Sequence, residues 1–484
     1  MAKSFTRRAA LACIAAVGFA VSPAAAQQNV TLYEGARLIT GDGTPAIENS
    51  AFLVQNGAFV RVGRKGEIPL PAGGNRVDLS GKTVMPTLTD MHGHFGFQNL
   101  IAGTMSKDMF TRENLIDHMQ RLAYVGVGAV VGVGDLADRS DLHGGRTHWN
   151  NAAVELRNET VPGAALFKTA GPGIAWPGSG AQGDPSRVDV AYPVTTVAEA
   201  RAAVDDYVLM KPEFIKIWVD DRGGTKKTLT PELYGAILDE AHKFKVPVGV
   251  HNVTLANAKQ MVKDGMEGWL HVPVRGGDVV DAEMIRLVKD RIARNDRPHM
   301  WVTPALITAW MDTTGGPQRP NWLDDPLLKA LYSPQQIEQY WGAVLRKMTP
   351  ADVARAKAAF TGDAKNMMVL RAAGMTVVGG TDTGQKRHLV AFQNHLDLES
   401  MVAMGLTPME AIKAVTSDGA AAGHFNTGLV APGRNADFIV LNANPLDNIS
   451  NTRKIAEVYL RGAEVPRAQF AAKWQAQMKT ASAK

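Results

Sequence analysis

Two histidines one residue apart, in Asp90-Met91-His92-Gly93-His94, could grip a metal ion. They follow the apolar run Val84–Pro86, which reads as the first strand of a barrel. Side chains alternate along a strand, so positions 90, 92 and 94 share one face, with Asp90 placed to orient a ring. An H-x-H pair alone also arises by chance on surfaces. Lys216 adds a second signal. It sits within Phe214-Ile215-Lys216-Ile217-Trp218, where an ammonium facing inward would be buried at large cost. A lysine so placed gives up its charge and can take up carbon dioxide, forming a carbamate whose two oxygens suit bridging two cations. The alternative is a side chain that points outward and snorkels to solvent. His251 ends the run Val246–Val250, His271 ends Gly268–Leu270, and Asp382 ends Thr376–Thr381. In an eight-stranded parallel barrel, reactive groups gather at the carboxyl ends of strands. Six ligand-type residues at the ends or inner faces of strands one, four, five, six and eight form a constellation that its single members do not.

Those positions require a particular set of elements. Short apolar runs alternate with helical stretches from Val84–Pro86 through Ala129–Val133, Ala164–Lys168, Phe214–Val219, Val246–Val250, Gly268–Leu270, Val302–Leu306 and Thr376–Gly380. Eight strands with intervening helices predict an α/β protein, a (β/α)8 TIM barrel over residues 86–423. An open doubly wound sheet is the competing α/β reading, and the placement of the ligand-type residues on strands one, four, five, six and eight decides against it. Before the barrel, Val30–Tyr33, Ala51–Val54 and Phe59–Val62 alternate around Gly41-Asp42-Gly43 and Asn56-Gly57, the pattern of antiparallel hairpins. Strand-like runs return at Asp437–Leu441 and Glu457–Leu460. The expectation is a small β-sandwich domain built from both chain ends, 27–85 with 424–484.

Residues 1–26 read as a signal peptide: Lys3, Arg7 and Arg8, the apolar run Ala9–Val21, then Ala24-Ala25-Ala26 before Gln27. The apolar run is too short to stay as a spanning helix. Export to the periplasm or medium is the expectation, by the general or the twin-arginine route, with cleavage near Ala26 and no stable membrane anchor. The only cysteine, Cys13, lies in that segment and lacks a lipoprotein context. The mature chain would then hold no thiol, so any metal rests on nitrogen and oxygen. The formal charge of +5 falls to about +2 without those residues. Basic residues are scattered without interleaved aromatics, which argues against a nucleic-acid partner. A small-molecule substrate is expected, and assembly into a homo-oligomer stays open.

These motifs resemble the amidohydrolase superfamily in its binuclear, lysine-bridged form, over nearly the whole mature chain. Pro86 to His94 reads P-T-L-T-D-M-H-G-H, similar to the family's first strand, and Gly379-Gly380-Thr381-Asp382-Thr383-Gly384 to its eighth. The stretches Gly405–Ala411, Ala414–Ala421 and Gly433–Leu441 look like its closing helix and returning sheet. The resemblance implies that His92, His94 and Asp382 hold the more buried of two divalent ions. His251 and His271 hold the more exposed one, and the Lys216 carbamate bridges them. Zinc suits such donors. A hydroxide bridging the metals would attack a carbonyl, with Asp382 as the base that passes its proton to the leaving amine. The departures lie in the pocket walls: Thr87 stands for a glycine, and Asn252 and Val272 for small residues.

The third-strand loop Gly171–Asp184 resembles the prolidase- and ochratoxinase-like branch, except that Gln182 stands near where that branch carries a histidine. The branch cleaves the last amide bond of dipeptides or N-acyl amino acids. The implied activity is hydrolysis of an amide C–N bond. The alternatives are a lactonase or cyclic-imide hydrolase on the same site, a mononuclear deaminase, or a periplasmic binding protein without chemistry. A terminal carboxylate would call for a cation, and Arg146 or Arg222 are placed for it. His148 could line the mouth, as could His143 and Trp149, while Trp176 and Trp218 would favour a bulky apolar acyl group, with Trp218 equally suited to barrel packing; Asp221 could also shape the pocket. His118 and His242 fall in helical patterns and read as solvated, and His388 and His395 follow the eighth strand.

Overall fold

Turn chemistry and alternation set up the first sheet. A computed structural model describes residues 30–136, 152–157, 159–180, 190–295, 299–384 and 388–482. Residues 1–26, expected above to direct export, and residues His143, Arg146, His148, Trp149 and Gln182 lie outside the described residues. The chain starts with β1 (Val30–Glu34), β2 (Arg37–Leu38), β3 (Ser50–Gln55), β4 (Ala58–Arg64), β5 (Asn75–Asp78) and β6 (Thr83–Pro86). Asn56 and Gly57 both adopt positive φ, 51° and 78°, the turn geometry that matches strand twist in a two-residue hairpin between β3 and β4. The sheet is not wholly antiparallel as expected: β1 pairs antiparallel with β3 but parallel with β5.

The next strands are β7 (Leu88–Gly93), β8 (Gln98–Asn99), β9 (Thr104–Met105), β10 (Val127–Gly132), β11 (Leu166–Thr169), β12 (Ile174–Ala175), β13 (Tyr192–Pro193) and β14 (Ile215–Val219). Then come β15 (Val248–Asn252), β16 (Gly268–Trp269), β17 (Trp301–Val302), β18 (Thr376–Val377), β19 (Phe438–Leu441), β20 (Ile455–Leu460) and β21 (Ala463–Glu464). β7, β10 and β11 pair in parallel, and a second parallel run goes β13-β12-β14-β15-β16-β17-β18. Hydrogen bonds cross both seams between these runs. Glu213 N donates to Thr169 O at 3.1 Å, and Met91 N to Gly379 O at 2.9 Å. Helices such as Arg112–Tyr124, Pro231–Lys243, Ala282–Arg294 and Pro350–Ala372 separate the strands, in a TIM-barrel-like α/β fold.

The run Val84–Pro86 is not the first strand of that barrel-like array. As β6 it pairs antiparallel with β19 and parallel with β2, in a sheet ordered β2-β6-β19-β20-β21 that joins both chain ends. Thr87 separates it from β7, which carries the histidines. The two sheets face each other across Tyr33, Phe52, Phe59 and Phe438, whose ring centroids lie 5.0–5.9 Å apart. Edge-to-face packing of such rings adds to the area they bury. Among the described residues no helix is long and apolar enough to cross a membrane.

Candidate metal centre

β7 ends by delivering His92 and His94 to one side, as strand alternation requires. Asp382 meets them from the end of the eighth strand. Its Oδ1 lies 3.0 Å from His94 Nε2 and 3.3 Å from His92 Nε2. The second ring nitrogens are engaged elsewhere: His94 Nδ1 with Val133 O, and His92 Nδ1 with Thr303 Oγ1 at 3.4 Å. Each Nε2 therefore faces the carboxylate. Burial keeps His92 uncharged well below its ordinary range, against the pull of Asp382. Burial alone would raise Asp382, yet His92 and His94 hold its carboxyl well below the usual range.

The backbone here is specialised. Asp382 has φ 52°, a left-handed conformation that Asp tolerates better than most residues. Its N–H donates to His92 O at 2.7 Å, and its carbonyl meets His388 Nδ1 at 2.5 Å. Two residues on, Gly384 has φ +91°, and a Cβ there would lie 1.7 Å from His94 O, so only glycine fits. Asp90 does not orient a ring, contrary to the expectation. It accepts from His92 N at 3.0 Å, Thr381 N at 3.2 Å, Thr381 Oγ1 at 2.7 Å and Asn394 Nδ2 at 2.8 Å. It staples the first strand to the eighth behind the histidines.

Lys216, on β14, is fully buried, so it does not snorkel. Its Nζ lies 4.9 Å over the Trp218 ring, two residues on along the same face. Its charge acts on both His92 and His251. The His271 ring stands 5.1 Å from that of His92 and 4.4 Å from that of His251, centroid to centroid. The six residues singled out from the sequence thus form one chain of neighbours. His251 differs from the first pair: its Nε2 lies 2.9 Å from Asp220 Oδ2 and 3.2 Å from Arg275 Nη2. Burial pushes His251 down to about 3. Burial opposes ionisation of Asp220, but His251 and Arg222 hold its carboxyl below the usual range.

The donor set fits a divalent cation. His92, His94 and Asp382 offer one ligand atom each, all within 4.8 Å of one another. His92 Nε2 and His271 Nδ1 are buried with no hydrogen-bond partner among the described residues, as metal-directed lone pairs would be. Neutral imidazoles with an ionised carboxylate are the ligand state that metals require.

Residues 344–465, which include Asp382, match the model of the amidohydrolase family. The fold of the chain is similar to that of a putative prolidase from Bifidobacterium longum, at 23% identity and TM-score 0.67, over 94% of this chain and 99% of that one. A Xaa-Pro dipeptidase with methionine bound in its active site is similar at 20% and 0.65, over 90% and 99%. The ochratoxinase of A. niger is similar at 19% and 0.64, over 90% and 96%. No curated protein sequence matches the chain. The family match agrees with the amidohydrolase resemblance read from the motifs, and the solved structures share the fold.

Around the His92, His94 and Asp382 cluster, other expectations sort by what each side chain touches. Trp218 is buried against the third-strand loop, where a Cβ on Gly173 (φ +81°) would lie 1.9 Å from its ring. Trp176 is partly buried, with Lys227 Nζ 5.4 Å from its ring. Arg222 is engaged: Nη1 pairs with Asp220 at 3.0 Å and Nη2 donates to Gly180 O at 3.2 Å. Asp221 is exposed and accepts from Gly223 N at 3.0 Å. His118 is not solvated. It is fully buried, meets Gly96 N at 3.2 Å and Gln98 O at 2.9 Å, and burial lowers it to about 4. His242 is partly buried and lies 2.8 Å from Glu267. His395 is buried between Thr452 and Val125 O. Sequence reasoning missed Asp220, Thr303 and Arg275. Only Asp220 left a signal, since 216, 218 and 220 continue one strand alternation.

Proposed function

We propose that the chain is a metal-dependent hydrolase that cleaves an amide C–N bond in an N-acyl amino acid or dipeptide-like substrate. The observation that carries this reading is the meeting of His92, His94 and Asp382 beside Lys216, His271 and His251, at the carboxyl ends of parallel strands. The family match supports C–N hydrolysis, and the similar structures bear the names of a prolidase, a dipeptidase and an ochratoxinase.

His92, His94 and Asp382 would hold the more buried of two divalent ions, and His251 and His271 the more exposed one. Lys216 as its carbamate would join them. Zinc suits these nitrogen and oxygen donors. When bound, the ions would polarise the substrate carbonyl and acidify a water for attack. Asp382 Oδ1 would take a proton from that water and return it to the leaving nitrogen. Its fixed backbone and its two imidazole neighbours keep that oxygen in place. Trp218 and Trp176 would form an apolar wall for the acyl side.

In the same reading, 86–423 close into a (β/α)8 barrel. Residues 27–85 and 424–484 make a composite β-sandwich domain, and 1–26 direct export. The test is elemental analysis and turnover of mature protein never exposed to chelator. About two divalent ions per chain, hydrolysis of N-acyl amino acids or X-Pro dipeptides, and a native N-terminus near Gln27 are expected. A trace of metal, or turnover of lactones and imides alone, would refute the reading.

A further inference from the structure

Arg275 lies at the centre without an ion pair among the described residues. It follows His271 by four residues, in the loop after β16, and its N–H donates to Val253 O at 3.2 Å, which ties that loop to the end of β15. Nη2 stands 3.2 Å from His251 Nε2. The guanidinium makes no ion pair among the described residues, and its Nε is buried without a hydrogen-bond partner. Asp382, Asp220 and Asp363 act on it through space without touching it. Arg222, the arginine expected to receive a carboxylate, spends its fork on Asp220 and Gly180.

We propose that Arg275 receives a carboxylate of the substrate, and so sets the preference of this site for anionic amides. The inference rests on the hydrolase reading above and assigns the charge-reading side chain of that site. A guanidinium whose Nε and Nη atoms are free of carboxylates presents a planar fork that binds a carboxylate by two parallel hydrogen bonds. Burying such a cation beside the ion-binding histidines is costly, and an incoming anion offsets that cost. An uncharged substrate leaves the fork unfilled.

The test uses metal-loaded full-length protein and two probes of one shape that cannot be hydrolysed: 3-phenylpropanoate and the uncharged ketone 4-phenylbutan-2-one. Calorimetry should show wild type preferring the acid. In Arg275→Gln the acid-to-ketone affinity ratio should fall about 10- to 100-fold, the range of a charge-assisted pair. Arg275→Lys, which keeps the charge without the fork, should fall in between. Elemental analysis of both variants shows whether the centre is intact. A wild type that binds the acid no better than the ketone overturns the proposal. So does an Arg275→Gln protein, metal-loaded like wild type, that keeps the preference, since the ions rather than Arg275 would then hold the acid. Failure of the hydrolase reading looks different: the preference for the acid depends on Arg275, while N-acetyl-L-phenylalanine and the dipeptides are not turned over.

Discussion

The two halves of the centre are built in opposite ways. At the His92–His94 side, Val133 O and Thr303 Oγ1 engage each Nδ1, and each Nε2 faces Asp382. At the His251 side, Nε2 is the engaged nitrogen, held by Asp220 with Arg275 alongside. The first half is almost fully enclosed and is stapled by Asp90, a carboxylate that touches no imidazole ring. The second half has loop arginines at its edge. Rigid strand ends thus carry one half, and charged loop residues tune the other. A carboxylate buried for architecture and one that steers a ring should answer to mutation differently.

Lys216→Ala tests the two halves together, since the Lys216 charge reaches both His92 and His251. Activity should fall by at least about a hundredfold and metal content should drop, with the circular dichroism of wild type retained. Bicarbonate should aid reconstitution of wild type alone. A fully active alanine variant would remove the bridge from the reading.

Asp90→Ala should act on stability. It strips the acceptors from Thr381 and Asn394 in a buried network, at a cost of about 3 kcal/mol in denaturant unfolding. An unfolding midpoint equal to that of wild type would show that Asp90 is no staple.

Asp220→Asn should act on the metal instead. Loss of the anion that fixes His251 should weaken the more readily removed ion about 10- to 100-fold in chelator competition. Unfolding of the metal-free protein should change little. Unchanged metal affinity would leave the two halves without the contrast drawn here.

The smallest effect concerns the segment that leaves His94. His118 and Asn114, on the helix Arg112–Tyr124, clamp Gly96 and Gln98. His118 is lowered to about 4, so below its ordinary value near 6.5 the unfolded chain takes up a proton that the folded one refuses. That stability is complete above about pH 6.5 and is lost as the pH falls toward about 4. Between pH 7 and 5.5 the loss should be about 1.2 kcal/mol, and His118→Gln should abolish that part of the slope. Equal slopes for the two proteins would place the proton uptake elsewhere.

The sequence alone determined which residues could meet. Alternation puts His92 beside His94 and Lys216 beside Trp218 on shared faces, and apolar runs that stop at His251, His271 and Asp382 mark strand ends. These are local properties, legible within a few residues. The Asn56-Gly57 hairpin was legible for the same reason. Tertiary structure decided what those residues do. Whether Nδ1 or Nε2 faces the centre depends on Val133, Thr303 and Asp220, which come 39, 211 and 31 positions away in the chain. Such partners are set by parallel register, and no local period encodes it. For the same reason β6 reads as a barrel strand until β19 arrives from the far end of the chain to pair with it. Arg275 follows no periodic signal at all, because a loop turned back toward β15 puts its charge beside His251.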